Sequence, residues 1–105
     1  VTTAQITYAA RNSDFDGFAI NEGDYLALLD GKLFGTERDI TSLLTRLAAL
    51  AAEREAAFVT LFYGEGVSQE EAEAAQALFT EACPETEISL LSGGQPVYYY
   101  TISIE

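Results

Sequence analysis

The sequence predicts an α/β domain, with α+β as the alternative: a mixed sheet, two helical crossovers and β-hairpins at the N- and C-terminal ends. Three observations predict it. Apolar residues recur at helical spacing in two stretches, Ile40 to Ala51 and Ala72 to Ala82. Short β-rich runs precede, separate and follow them. Asp30-Gly31 and Gly93-Gly94 stand between apolar runs, where tight hairpin turns are expected. A chain of 105 residues, 49% of them apolar, suits one domain, residues 1–105, with one core.

The elements follow in order. From Gln5 to Ala10, Ile6, Tyr8 and Ala10 alternate with Gln5, Thr7 and Ala9, as in a strand with one buried face. Asn12 to Gly17 is turn chemistry, Phe18 to Ile20 a short strand, and Asn21 to Asp24 another turn. Tyr25 to Leu29 and Lys32 to Phe34 flank Asp30-Gly31, whose residues both accept positive φ, and so form a hairpin. Thr36 and Asp39 resemble a weak capping box for the first helix, with Ile40, Leu43, Leu44, Leu47, Leu50 and Ala51 as its apolar stripe. Ala57 to Tyr63 is nearly all apolar, which suits a central strand covered on both faces. Ser68 with Glu71 opens the second helix and Pro84 ends it. Glu87 to Leu91 is the next strand, turned by Gly93-Gly94 into Val97 to Ile104.

Charge narrows the function classes. Seventeen acids face five bases, a formal charge of −12. That field repels phosphate backbones and anionic lipid surfaces, so nucleic acid and membrane are poor partners and a basic protein surface is a better one. The chain has no histidine, which removes imidazole bases and histidine-ligated metals. Cys83 stands alone, so no internal disulfide forms, in keeping with a reducing, cytoplasmic setting. No apolar run reaches the ~20 residues of a membrane span, and no signal peptide is seen. The chain opens at Val1 and holds no methionine, as expected of a fragment or a processed chain.

Several motifs hint at sites. Asn12-x-Asp14-x-Asp16-Gly17 starts like a calcium loop, but its twelfth position is Gly23, with Glu22 one short. A polar turn, or a partner-contact loop including Arg11, is the better reading. Gly64-Glu65-Gly66 lies between strand and helix, yet Gln69 replaces the third glycine of a dinucleotide fingerprint and Glu65, Glu70 and Glu71 would repel phosphate. Among Tyr98, Tyr99 and Tyr100, alternation sends Tyr99 to the face opposite the other two, as core filling or an interface anchor. Seven glutamates between Glu65 and Glu87, without one base, form a solvated helix face or a dock for a basic partner. No residue set is a complete catalytic or metal site.

Three segments together resemble the C-terminal region of bacterial fatty acid kinases of the FakA type, also described as DAK2 or dihydroxyacetone-kinase-like proteins. They are Ile6 to Gly17, Gly23 to Lys32, and Gly93-Gly94-Gln95-Pro96-Val97-Tyr98-Tyr99-Tyr100 to Glu105; Tyr63-Gly64-Glu65 also fits. Asn12 departs from the Asp expected in many relatives.

The resemblance implies a parent enzyme that phosphorylates a fatty acid carboxylate with ATP and magnesium, both held by an N-terminal domain. It implies a partner, a fatty-acid-binding protein of the FakB (DegV-like) type, engaged by the C-terminal region. On that reading this chain is a non-catalytic C-terminal domain that binds no cofactor or metal itself. Its candidate contacts are Arg11, Asp14, Asp16, Tyr25, Tyr99, Glu70 and Glu73, selected by chemistry and expected exposure. The alternatives are a self-association module, giving a homodimer, and a small-ligand or divalent-cation-binding domain.

Overall fold

The computed structural model describes all residues from Val1 to Glu105. Eight strands and two helices run β1 (Thr2–Tyr8), β2 (Ser13–Phe15), β3 (Phe18–Ile20), β4 (Tyr25–Leu29), β5 (Lys32–Glu37), α1 (Ile40–Glu53), β6 (Phe58–Tyr63), α2 (Gln69–Ala82), β7 (Glu87–Ser92) and β8 (Tyr100–Ile104). Six strands form one sheet in the order β5-β4-β1-β8-β6-β7, and β2-β3 is a separate hairpin. Only β6 and β7 pair in parallel; the other pairings are antiparallel. The fold is therefore α+β, the second of the two classes expected. No helix is long and apolar enough to cross a membrane.

The pairings place β5 and β6 in the same direction, with three strands between them. Helix α1 carries the chain over those strands, and α2 joins the adjacent pair β6 and β7. Both helices pack on one face of the sheet. Ala4, Ile6, Val59, Leu61, Tyr100, Ile102 and Ile104 meet Leu43, Leu47, Ala75 and Phe79 there in one continuous core.

The sheet's second face is only partly covered, contrary to the expectation for β6. The β2-β3 hairpin shields the β4 end through Ala9, Ile20 and Leu26, with Phe15, Leu28 and Leu33 beside them. The remainder is open. Register aligns Gln5, Thr101, Phe62 and Leu91 across it, with Thr3, Ser103, Thr60 and Ser89 in the neighbouring row.

Local chemistry explains the boundaries. Asp30 and Gly31 have φ of 50° and 82°, and Asp16 and Gly17 have 51° and 82°, so each pair makes a positive-φ hairpin turn. The second turn makes a hairpin of the segment read as turn alone. Strand β1 starts and stops earlier than expected; Ala4 and Ile6 face the core and Tyr8 is exposed. Thr36 lies in β5, and Asp39 alone caps α1, accepting from the Ser42 amide at 2.8 Å. The box on α2 is present as expected: Ser68 accepts from the Glu71 amide, and Glu71 from the Ser68 amide, both at 3.1 Å.

Just past the end of α1, Glu55 takes φ 52°, and the Ala56 amide donates to Ala51 O at 3.1 Å. This left-handed position favours glycine. Glu55→Gly is expected to stabilise the domain by up to about 1 kcal/mol, read as a higher melting midpoint in thermal denaturation.

The C-terminal hairpin is a correction. Strand β8 does not pair with β7; it lies between β1 and β6. The Gly93 and Gly94 amides both donate to Tyr63 O, at 2.9 and 3.1 Å, which turns the chain across the end of β6. A turn with positive φ at Val97 (72°) follows, closed by the Tyr98 amide on Pro96 O at 2.8 Å.

Candidate functional site: a tyrosine-lined cleft

The end of β6 and the start of β8 meet between the two helices. There the Tyr99 amide donates to Ile6 O and the Gly64 amide to Tyr99 O, both at 2.8 Å. Regular pairing begins only at Tyr100, so the alternation expected for Tyr98 to Tyr100 does not hold. Tyr99 and Tyr100 open onto the same space.

That space is a cleft of about 550 Å³. Its aliphatic wall comes from Ile40 and Leu44 of α1 and Ala74, Ala75 and Leu78 of α2. Its polar groups are Tyr25, Tyr99, Tyr100, Thr41 and Glu71. The rings of Tyr25 and Tyr99 meet edge to face at 5.6 Å, and Tyr8 continues the row at 5.2 Å from Tyr25. Gly66 lets Tyr99 lie close, since a Cβ there would come within 3.1 Å of its ring.

Electrostatics sets the state of these groups. Hydrogen bonding to Ser68 lowers the Glu71 pKa, so its carboxylate stays charged at neutral pH. Burial, and then the Glu71 charge, pushes the Tyr100 phenol up to about 12. Burial also raises Tyr25, followed by its Tyr99, Tyr8 and Glu71 neighbours. Tyr25 and Tyr100 are thus neutral donors in the physiological range. Tyr100 is 2% exposed. No protein group hydrogen-bonds its hydroxyl, yet no fully enclosed side-chain oxygen lacks a partner. Its hydroxyl therefore reaches the cleft.

A pH prediction follows from Tyr100. Its folded pKa lies above the unfolded value near 10.0, so the unfolded chain loses the proton first. Stability is expected to hold up to about pH 10 and to fall between there and about 12. Absorbance titration of the phenols against a Tyr100→Phe variant checks this: the variant should lack the last-titrating group.

The expected contacts divide between two places. Tyr25 and Tyr99 line the cleft, and Glu70 and Glu73 are exposed on the same helix as Glu71. Arg11, Asp14 and Asp16 are exposed around the β2-β3 hairpin, on the sheet's other face. Asn12 Oδ1 accepts from the Glu22 amide at 2.7 Å, and no group of three or more Asp, Glu, Cys or His residues is placed to hold a metal ion. The calcium-like spacing is thus spent on a hairpin and its brace. Gly64 to Gly66 is a tight turn, with the Val67 amide on Gly64 O at 3.1 Å. Sequence reasoning missed Glu71 and Tyr100 as cleft residues. Glu71 is legible as a cap and Tyr100 as a strand residue, and neither signal reveals that both face one space. A second cavity, about 510 Å³, lies at the opposite end beside Ala57, Cys83 and Thr86.

Comparison with known proteins places this arrangement. The family model for the FakA-like C-terminal region of fatty acid kinases matches residues 1–105. Protein YloV of Bacillus subtilis is 35% identical over 105 residues, all of this chain and 19% of its own length. An uncharacterized protein of Staphylococcus aureus (strain COL) is 26% identical over the same 105 residues, again 19% of its length. The chain thus spans about a fifth of the relatives it matches. It belongs to the family of FakA-like C-terminal domains of fatty acid kinases.

Proposed function

We propose that this domain is the docking piece of a fatty acid kinase and takes no part in bond-making. In this reading it engages a fatty-acid-binding partner of the FakB (DegV-like) type. Another part of the parent, with a DAK2-type kinase domain, holds ATP and magnesium and forms the acyl phosphate. The whole assembly works in the cytoplasm. The full-length family match carries the reading. The cleft end of the domain supports it: an exposed Tyr8, the Tyr25–Tyr99 pair, and Glu70 and Glu73 on one helix suit a basic partner surface.

Calorimetric titration of the intact kinase with its fatty-acid-binding protein tests this. Glu70→Gln with Glu73→Gln is expected to weaken binding at low salt and to flatten its salt dependence. Unchanged affinity, together with unchanged acyl phosphate formation, would count against this face.

A second reading has its own observation. The open sheet face carries Phe58 and Leu91, each 50% exposed, which suits packing against the rest of the parent or a second copy. Sedimentation of a Leu91→Lys variant, showing loss of an otherwise stable dimer, would favour self-association.

A further inference from the structure

We propose that the tyrosine-lined cleft is a binding site for a cationic group carried on an aliphatic stem: an ammonium or guanidinium. The inference rests on the cleft being a recognition surface, as argued above, but not on the identity of the protein partner. Three features select this chemistry. Ile40, Leu44 and Leu78 offer an aliphatic wall long enough for a stem of several methylenes. Tyr25 and Tyr99 bring phenol rings and hydroxyl oxygens, whose π faces and lone pairs favour positive charge. Glu71 supplies a full negative charge at the same wall.

An anionic head fits badly. Glu71 stands where it would sit, and the domain's charge of −12 opposes its approach. The first turn of α2 offers little compensation, because the Ser68 and Glu71 amides are already satisfied by the capping box. The Tyr100 hydroxyl is the second, independent pointer. It belongs to a side chain almost wholly enclosed that lines the cleft, and its oxygen is open to that space. There it can accept from an ammonium or guanidinium N–H.

The test titrates the intact protein with hexylammonium, hexanol and hexanoate by calorimetry. Saturable hexylammonium binding is expected, at least about tenfold tighter than hexanol, with no hexanoate binding. Glu71→Gln keeps a residue able to complete the capping box and removes only the charge. It should weaken hexylammonium about tenfold and leave hexanol unchanged. Ala74→Leu, at an exposed position on the cleft wall, should block both. Glu81→Gln, farther along α2, should change neither. Equal affinities for hexylammonium and hexanol would overturn the proposal. So would equal losses from Glu71→Gln and Glu81→Gln, which would mean diffuse attraction to an acidic protein.

Competition separates the two sources of such a group. Displacement of hexylammonium by the fatty-acid-binding partner assigns the cation to a partner side chain; simultaneous binding assigns it to a free amine. Partner docking that survives Glu71→Gln while hexylammonium binding is lost would leave the docking reading intact, whereas hexylammonium binding that survives Glu71→Gln would overturn the cation site whatever the partner does.

Discussion

Phe79→Ala is expected to cost about 3–5 kcal/mol, the range for truncating a large buried aromatic side chain. Phe79 is the bulkiest fully enclosed side chain, at 0% exposure, and joins α2 to the core shared with α1 and the sheet. A domain of this size is stable by only about 5–15 kcal/mol, so the loss consumes much of the reserve. Thermal denaturation should show a midpoint lower by at least about 12 °C. Leu78→Ala, one position along, is the informative comparison. Leu78 is half-buried at the cleft, so its loss should be smaller and should fall on ligand binding as much as on folding. Equal midpoints for the two variants would mean that α2 does not pack as described.

Gly64→Ala is expected to be the second large effect, and it links stability to the cleft. A Cβ at Gly64 would overlap Tyr98 O and lie 2.8 Å from Gln95 O. Both obstacles are backbone, and neither can rotate away. The same residue's amide holds Tyr99 O at 2.8 Å, so relief requires moving the segment that positions Tyr99. The cost should be about 1–3 kcal/mol, with a lower denaturant midpoint and altered tyrosine near-UV dichroism. Gly17→Ala is the control. Nothing lies within 4 Å of its added methyl, so only the strain of φ 82° remains. It should lower stability without touching the tyrosine signal.

The parts of the fold legible from sequence are those set by neighbours along the chain. Ser68 with Glu71, the Ile40 to Ala51 stripe, Pro84 and Asp30-Gly31 each act within a few residues, and each appears in the structure as read. Pairing partners are a different matter. Gly93-Gly94 has the composition of a hairpin turn, but its amides are taken by Tyr63 O, from a residue far earlier in the chain. Nothing local records that bond. The departure at Tyr99 has the same root, since alternation applies only inside a regular strand and β8 starts one residue later. The cleft is half legible. Tyr25 and Tyr99 stand out by their chemistry, but the wall that makes them a site comes from α1, α2 and the turn at Gly66. Arg11, Asp14 and Asp16 stand out with them and lie across the sheet, because β2-β3 folds onto its other face.

The position of β8 has a consequence for biosynthesis. It bridges β1 to β6 and so joins the sheet's two halves, yet it is the last strand of the domain to be synthesised. A nascent chain in which this strand is still inside the ribosome would hold β1 and β6 apart, each with an unpaired edge. Folding should therefore close late, once the strand has emerged, and slowly, because the closing contacts join the domain's two ends. Chaperone demand and protease sensitivity would then be greatest in the interval before Ile104 docks.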